Sequence, residues 1–212
     1  MSKKSSNPLR FRAWSSKTLV FIAVMGAIGN VLSGLSIFSA PIIPSIPLGG
    51  TSISLALDLS HLSTFISALV GGPIIGAATG LIGGAVAAYQ FGFSQGNLIT
   101  GFGLPIGKAI TGAVAGLLIY KFGLSQKDRN PLFFIPTTLL SYVPEAIYTA
   151  FLFIMVFPIV YGLPISLAYL ITLQILVKAS IEMVAIGMIG AALLSHRGFM
   201  SFTGEFFPKD KV

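Results

Sequence analysis

Ionisable side chains lie within the long apolar stretches of this sequence, where burial of a charge is unfavourable in free energy. An unpaired charge at the centre of a bilayer costs at least about 2.5 to 3.5 kcal/mol, so such residues face protein or water and often line solute or proton pathways. We expect their donors and acceptors to form the floor of a cavity for a polar, heterocyclic solute. The candidates are Asp58, His61, Lys108, Glu145, Lys178 and Glu182.

Helical phase arranges several of these residues into polar stripes. Gln174, Lys178 and Glu182 recur every four residues, and Glu145 and Tyr148 share a face of the preceding stretch. At about 1.5 Å per residue, three successive stretches bring charges to a depth of roughly 15 to 20 Å, near the membrane midplane. These stripes must face protein or water rather than lipid.

The same charges also fit a purely structural role. Lys108 and Lys178 balance Glu145 and Glu182 without a ligand, so they would form a neutral network that only holds the helices together. The sequence alone does not distinguish this structural role from the role in a solute cavity.

Other kinds of site are weakly supported. Asp58 and His61 lie one helical turn apart and would either cap a helix start or face the cavity. With two histidines and no cysteine, we expect no metal site and no cofactor. Residues 92–96 match the nucleophile-elbow motif, but that motif needs a strand running into a helix, and this segment links two apolar stretches. We therefore do not expect an enzyme.

The stretches that hold these residues predict an all-α membrane protein. The chain is 54% hydrophobic and 9% charged, whereas soluble domains average about 25% charged residues. A transmembrane helix needs about 20 apolar residues, and we expect six spans, the second and third of them short. The predicted spans are residues 18–38, 54–70, 74–91, 98–120, 132–160 and 165–194.

Basic residues predict the orientation. They cluster in residues 1–17, 121–129 and 195–212, and the connections on the opposite side carry none, as the positive-inside rule requires. We expect cytoplasmic tails at 1–17 and 195–212 around a six-helix domain at 18–194 in the plasma membrane. The net charge of +7 then reflects contacts with lipid headgroups rather than with nucleic acid.

Small residues predict close helix packing. Glycine recurs every four residues from Gly72 to Gly84, so one face of the third stretch can approach another backbone. Gly103 and Gly107 repeat this spacing in the fourth stretch. The uncharged connection 39–52 is rich in Pro and Gly, and we expect it either to rest in the interface or to cover an outward-facing cavity.

Several motifs resemble the substrate-binding S components of energy-coupling factor (ECF) vitamin transporters. The stretch AVMGA at 23–27 is similar to the Ala-x-x-x-Ala element with which the family's first helix docks its coupling subunit. LDLSH at 57–61 and LVGGP at 69–73 look like the second and third helices of riboflavin-type members. LVK at 176–178 resembles their sixth helix, although Ile175 replaces the usual asparagine, so the identity of the solute stays open.

This resemblance implies a transporter subunit that captures a vitamin or precursor outside the cell. Its partners would be a transmembrane coupling (T) subunit, docked at Ala23 and Ala27, and two ABC ATPases. The chain carries no Gly-x-x-x-x-Gly-Lys-Ser/Thr phosphate loop, so ATP hydrolysis must come from partners. The residues implied in solute binding are Lys108, Glu145, Gln174 and Lys178, with Gln95 and Asn97 from an outer loop.

The main alternative is a proton-coupled secondary transporter or channel. His61, Glu145 and Glu182 would then form a proton relay. Such transporters often contain internal repeats, and the first and second three spans show no convincing repeat.

Overall fold

The computed structural model describes residues 15–42, 45–48, 51–54, 57–124 and 130–206, and the side chains of all of these except 45–48, 51–54 and 202–206. The first half contains helix α1 (Ser16–Ser39), strands β1 (Ser45–Leu48) and β2 (Thr51–Ser54), and helices α2 (His61–Gly71), α3 (Pro73–Gly83) and α4 (Ala85–Phe91). The second half contains α5 (Leu98–Phe122), α6 (Phe134–Phe151), α7 (Phe157–Tyr161), α8 (Ile165–Ser195) and α9 (Arg197–Phe206). Short 3-10 turns at Phe93–Gln95 and Pro131–Phe133 and a π-helical turn at Leu152–Val156 link some of these helices.

Five of the described segments are long and apolar enough to cross a membrane. They are Ser16–Ser39, Pro73–Gln95, Leu98–Phe122, Pro131–Tyr161 and Ile165–Ser195. The predicted helical membrane fold is therefore confirmed, while the count of six spans stays a prediction.

The predicted second span at 54–70 is wrong in its first half. Ser54 ends strand β2, and residues 57–60 are not helical. Helix α2 has 11 residues, which at about 1.5 Å each gives roughly 16 Å, half of a hydrocarbon core. Sequence periodicity missed this break because the segment is apolar on both sides of it.

An antiparallel hairpin occupies part of the predicted outer connection. Strands β1 and β2 pair from Ser45 opposite Ser54 to Leu48 opposite Thr51. Its side chains lie outside the described residues, so a covering role for this connection stays a prediction.

Glycine allows α3 and α5 to pack backbone to backbone, as the spacing from Gly72 to Gly84 predicts. A Cβ at Gly76 would lie 2.6 Å from the carbonyl oxygen of Gly112, and one at Gly80 would meet the backbone of Lys108. Gly116 similarly approaches Pro73. This contact sets the height of Lys108 relative to α2 and α3.

Helix α1 packs against the other side of α3. Gly26 lies against Ile82, and the Asn30 side chain donates to the Ile82 carbonyl at 2.9 Å and accepts from the Val86 amide at 2.9 Å. Asn30 therefore bridges the break between α3 and α4 at Gly84. The opposite face of α1 is exposed.

Basic residues at helix ends lie at one end of the bundle. Lys121 in the last turn of α5 is near the point where Gly116 approaches Pro73. Helix α1 runs alongside α3 in the same direction, so both helices begin at this end. Lys17, in the first turn of α1, therefore lies there too. Most basic residues of the three predicted cytoplasmic segments lie outside the described residues, and the side of the membrane that this end faces stays a prediction.

Replacing Gly76 with alanine tests the α3–α5 contact. The added methyl group would lie 2.6 Å from the Gly112 carbonyl oxygen and 2.8 Å from the Ala68 side chain, so we expect a loss of about 1 to 3 kcal/mol. Gly34→Ala is the matched control, since nothing lies within 4 Å of its Cβ position, and helix propensity favours alanine. Thermal melting of both purified variants measures the difference; equal melting temperatures would contradict the packing argument.

Candidate functional site

The site begins at the non-helical residues that precede α2. Asp58 accepts a hydrogen bond from the Ser60 amide at 2.9 Å and one from the Ser33 hydroxyl of α1 at 3.4 Å. The same carboxylate lies 3.6 Å from the Lys108 ammonium of α5. Asp58 therefore combines the two roles that the sequence left open, because it stabilises the helix start and belongs to the buried charge cluster.

Lys108 extends from α5 toward the start of α2. It is 4% exposed, and its ammonium donates to the Ser60 hydroxyl as well as pairing with Asp58. In the neutral network predicted from the sequence, Glu145 and Glu182 balance the two lysines. In the structure, Lys108 pairs instead with Asp58. Burial of an ammonium requires such partners, because an isolated charge in this environment is strongly disfavoured.

Glu145 lies on α6 beside the start of α2. Its Oε2 is 3.2 Å from His61 Nε2 and accepts a hydrogen bond from the Thr111 hydroxyl. Its Oε1 accepts no hydrogen bond from any residue that the structure describes. His61 Nδ1 is buried and likewise has no partner within the described part of the chain.

The stripe on α8 completes the cluster. Glu182 Oε1 accepts from the Asp58 amide at 2.8 Å and lies 3.7 Å from the Lys178 ammonium. Lys178 is partly open, with 33% of its side chain exposed, while Gln174 Nε2 is buried without a described partner. The structure thus brings the Glu182 end of the predicted stripe to the same cluster through the backbone of Asp58.

A cleft opens beside this cluster between α5 and α6. Its empty space is about 300 Å³ when the part open to the surroundings is counted, so it is an open cleft and not a closed cavity. The absence of side chains at Gly103 and Gly107 creates room, and a Cβ on Gly107 would lie 3.0 Å from Glu145 Oε1. The Tyr148 hydroxyl lies 3.6 Å from the Cβ position of Gly103. The cleft is lined by Thr100, Gly103, Leu104, Gly107, Glu145, Thr149, Leu152 and Phe153.

Two predicted outer-loop residues stand apart from the charge cluster. Gln95 is exposed. Asn97 caps α5, since its Oδ1 accepts from the Thr100 amide at 3.0 Å and from the Tyr161 hydroxyl at 3.2 Å. In the elbow-like segment, the Ser94 hydroxyl donates to the Gln90 carbonyl. Within the described residues, no group of three or more metal-ligating side chains comes together.

Sequence reasoning missed the hydroxyl partners of the buried charges. Ser33, Ser60 and Thr111 each contact a charged member of the cluster, and a lone hydroxyl in an apolar stretch gives no signal of such a contact. The spacing of Gly103 and Gly107 predicted close helix packing, whereas both residues line the cleft. Glycines four residues apart have this spacing in either role, so the sequence could not separate the two.

Comparisons with protein-family profiles, curated proteins and solved structures find no match for this chain.

Replacing Lys108 with methionine tests the buried pair. Loss of one partner of a buried pair typically costs about 3 to 5 kcal/mol, and we expect somewhat less here because 23% of the Asp58 side chain is exposed. Lys108→Met combined with Asp58→Asn should regain most of the melting temperature, since asparagine can still accept from the Ser60 amide. Lys121→Met, at an exposed lysine of the same helix, is the control. A double variant no more stable than Lys108→Met would contradict the pairing.

Proposed function

We propose that this chain is the membrane-embedded substrate-binding subunit (S component) of an ECF-type ABC importer. The observation that carries the proposal is the cluster of buried and partly buried charges at the start of α2 and on α5, α6 and α8, with one carboxylate oxygen open to a cleft. Buried charges in membrane helices are costly, and a solute site explains why they are present. The solute class would be a vitamin or vitamin precursor taken up from outside the cell.

The exposed face of α1 supports a docking role. Ala23 and Ala27 are exposed and one turn apart, and Gly34 continues the same face with nothing within 4 Å of its Cβ position. Small residues let a partner helix approach closely in lipid. The partner would be the coupling subunit, and two ABC ATPases would supply the energy.

A proton-coupled secondary transporter is the second candidate, and one contact favours it. His61 Nε2 lies 3.2 Å from Glu145 Oε2 in a buried pair, which is an arrangement suited to proton transfer. In that case the chain would transport without partners. In both proposals the predicted topology has six spans in the plasma membrane and cytoplasmic termini.

Bulky substitutions on α1 test the docking proposal. Ala23→Trp and Ala27→Trp should prevent co-purification with the coupling subunit, because the added rings keep the two helices apart. Solute affinity should stay near that of the wild type, since the charge cluster lies on other helices. Ala192→Trp, at an exposed alanine of α8, is the matched control. Undiminished complex formation by both α1 variants would argue against this docking face.

Reconstitution tests where the energy comes from. Because the chain has no phosphate-binding loop, proteoliposomes containing it alone should bind solute but not accumulate it under a proton gradient. Addition of the coupling subunit and ATPases should give ATP-dependent accumulation. Gradient-driven accumulation by the chain alone would instead support the secondary-transporter proposal.

A further inference from the structure

Glu145 differs from the other carboxylates of the cluster in its partners. Asp58 and Glu182 each have a lysine within 4 Å, at 3.6 and 3.7 Å respectively. Within the described residues, Glu145 has no lysine in this range, and its ion-pair partner is His61 at 3.2 Å. Glu145 is therefore the one carboxylate of the described cluster without a nearby lysine.

The lysines of the described cluster are fewer than its carboxylates. The carboxylates of Asp58, Glu145 and Glu182 face only Lys108 and Lys178. Each of these lysines lies beside Asp58 or Glu182, so neither is left for Glu145. The His61 ring contacts Glu145 through Nε2, and its buried Nδ1 has no partner among the described residues.

The carboxylate of Glu145 borders the cleft. Glu145 is 7% exposed, its Oε2 is occupied by His61 and Thr111, and its Oε1 remains free of described donors. The other lining side chains are two threonine hydroxyls and the apolar groups of Leu104, Leu152 and Phe153. An occupant would need a charged donor at one end and an apolar body.

We propose that the cleft between α5 and α6 binds the cationic end of the solute, an amidinium, ammonium or protonated heterocycle that donates to Glu145 Oε1. This inference rests on the proposed function and narrows its solute class to cations with an apolar or aromatic body. Binding would bring a positive charge to the carboxylate that has no lysine and supply a donor to its free oxygen, an arrangement stronger than a hydrogen bond between neutral groups.

Two probes of matched shape test this inference. Benzamidinium and benzamide are both planar and nearly equal in size, and they differ in charge. Isothermal titration of the full chain in lipid nanodiscs should show benzamidinium binding at least about tenfold tighter than benzamide. Glu145→Gln should weaken benzamidinium binding by about 10- to 150-fold and remove the preference. Glu205→Gln, the same chemical change on α9, should leave the preference intact.

The comparison of probes on the wild type needs no variant, so a poorly folding Glu145→Gln protein does not weaken the test. Equal affinities, or no saturable benzamidinium binding, would overturn the inference; the second result is expected if a proton neutralises Glu145. A folded Glu145→Gln protein with unchanged benzamidinium affinity would overturn it as well. Complex formation with the coupling subunit, measured on the same preparation, separates the two proposals. An intact complex without cation preference would reject only the solute class, while cation preference without a complex would reject the S-component function.

Discussion

The structure depends on one constraint, which is that backbone and charge buried at membrane depth must find partners within the protein. Non-helical backbone is tolerated there only where protein buries it or where it lines a cavity. Asp58 and Ser60, in the non-helical residues before α2, meet this requirement, since the Asp58 amide donates to Glu182 and the Ser60 amide donates to Asp58. The charge cluster and the interrupted second span are therefore parts of the same arrangement.

This arrangement is possible because glycine lets the backbones of α3 and α5 come into direct contact. Gly76 and Gly80 bring α3 against α5, which places the Lys108 side chain where it reaches Ser60 and Asp58. A larger residue in this interface would separate the helices and withdraw the ammonium from its carboxylate. Packing of the glycine face and pairing of the buried charges are thus coupled, although the residues involved lie on different helices.

The two faces of the protein suit different tasks. The inner polar cluster opens beside Glu145 to a cleft between α5 and α6, while the exposed face of α1 carries Ala23 and Ala27 among larger apolar side chains such as Val20 and Val24. A subunit that binds solute in one region and a partner in another can lose either property separately. Because the two regions are separate, substitutions in each can distinguish an importer subunit, which needs a partner, from a secondary transporter, which needs none.

The sequence by itself determined the membrane class, the bounds of the long helices and the polar stripe on α8, because apolar length and helical period are local properties. Only the tertiary structure decided that Lys108 pairs with Asp58, that Glu145 pairs with His61, and that Gly103 and Gly107 border a cleft. Those partners lie on different helices, so their pairing depends on the relative height and rotation of the helices. The break before α2 was hidden for a related reason, since its stability comes from Glu182, more than a hundred residues away in sequence.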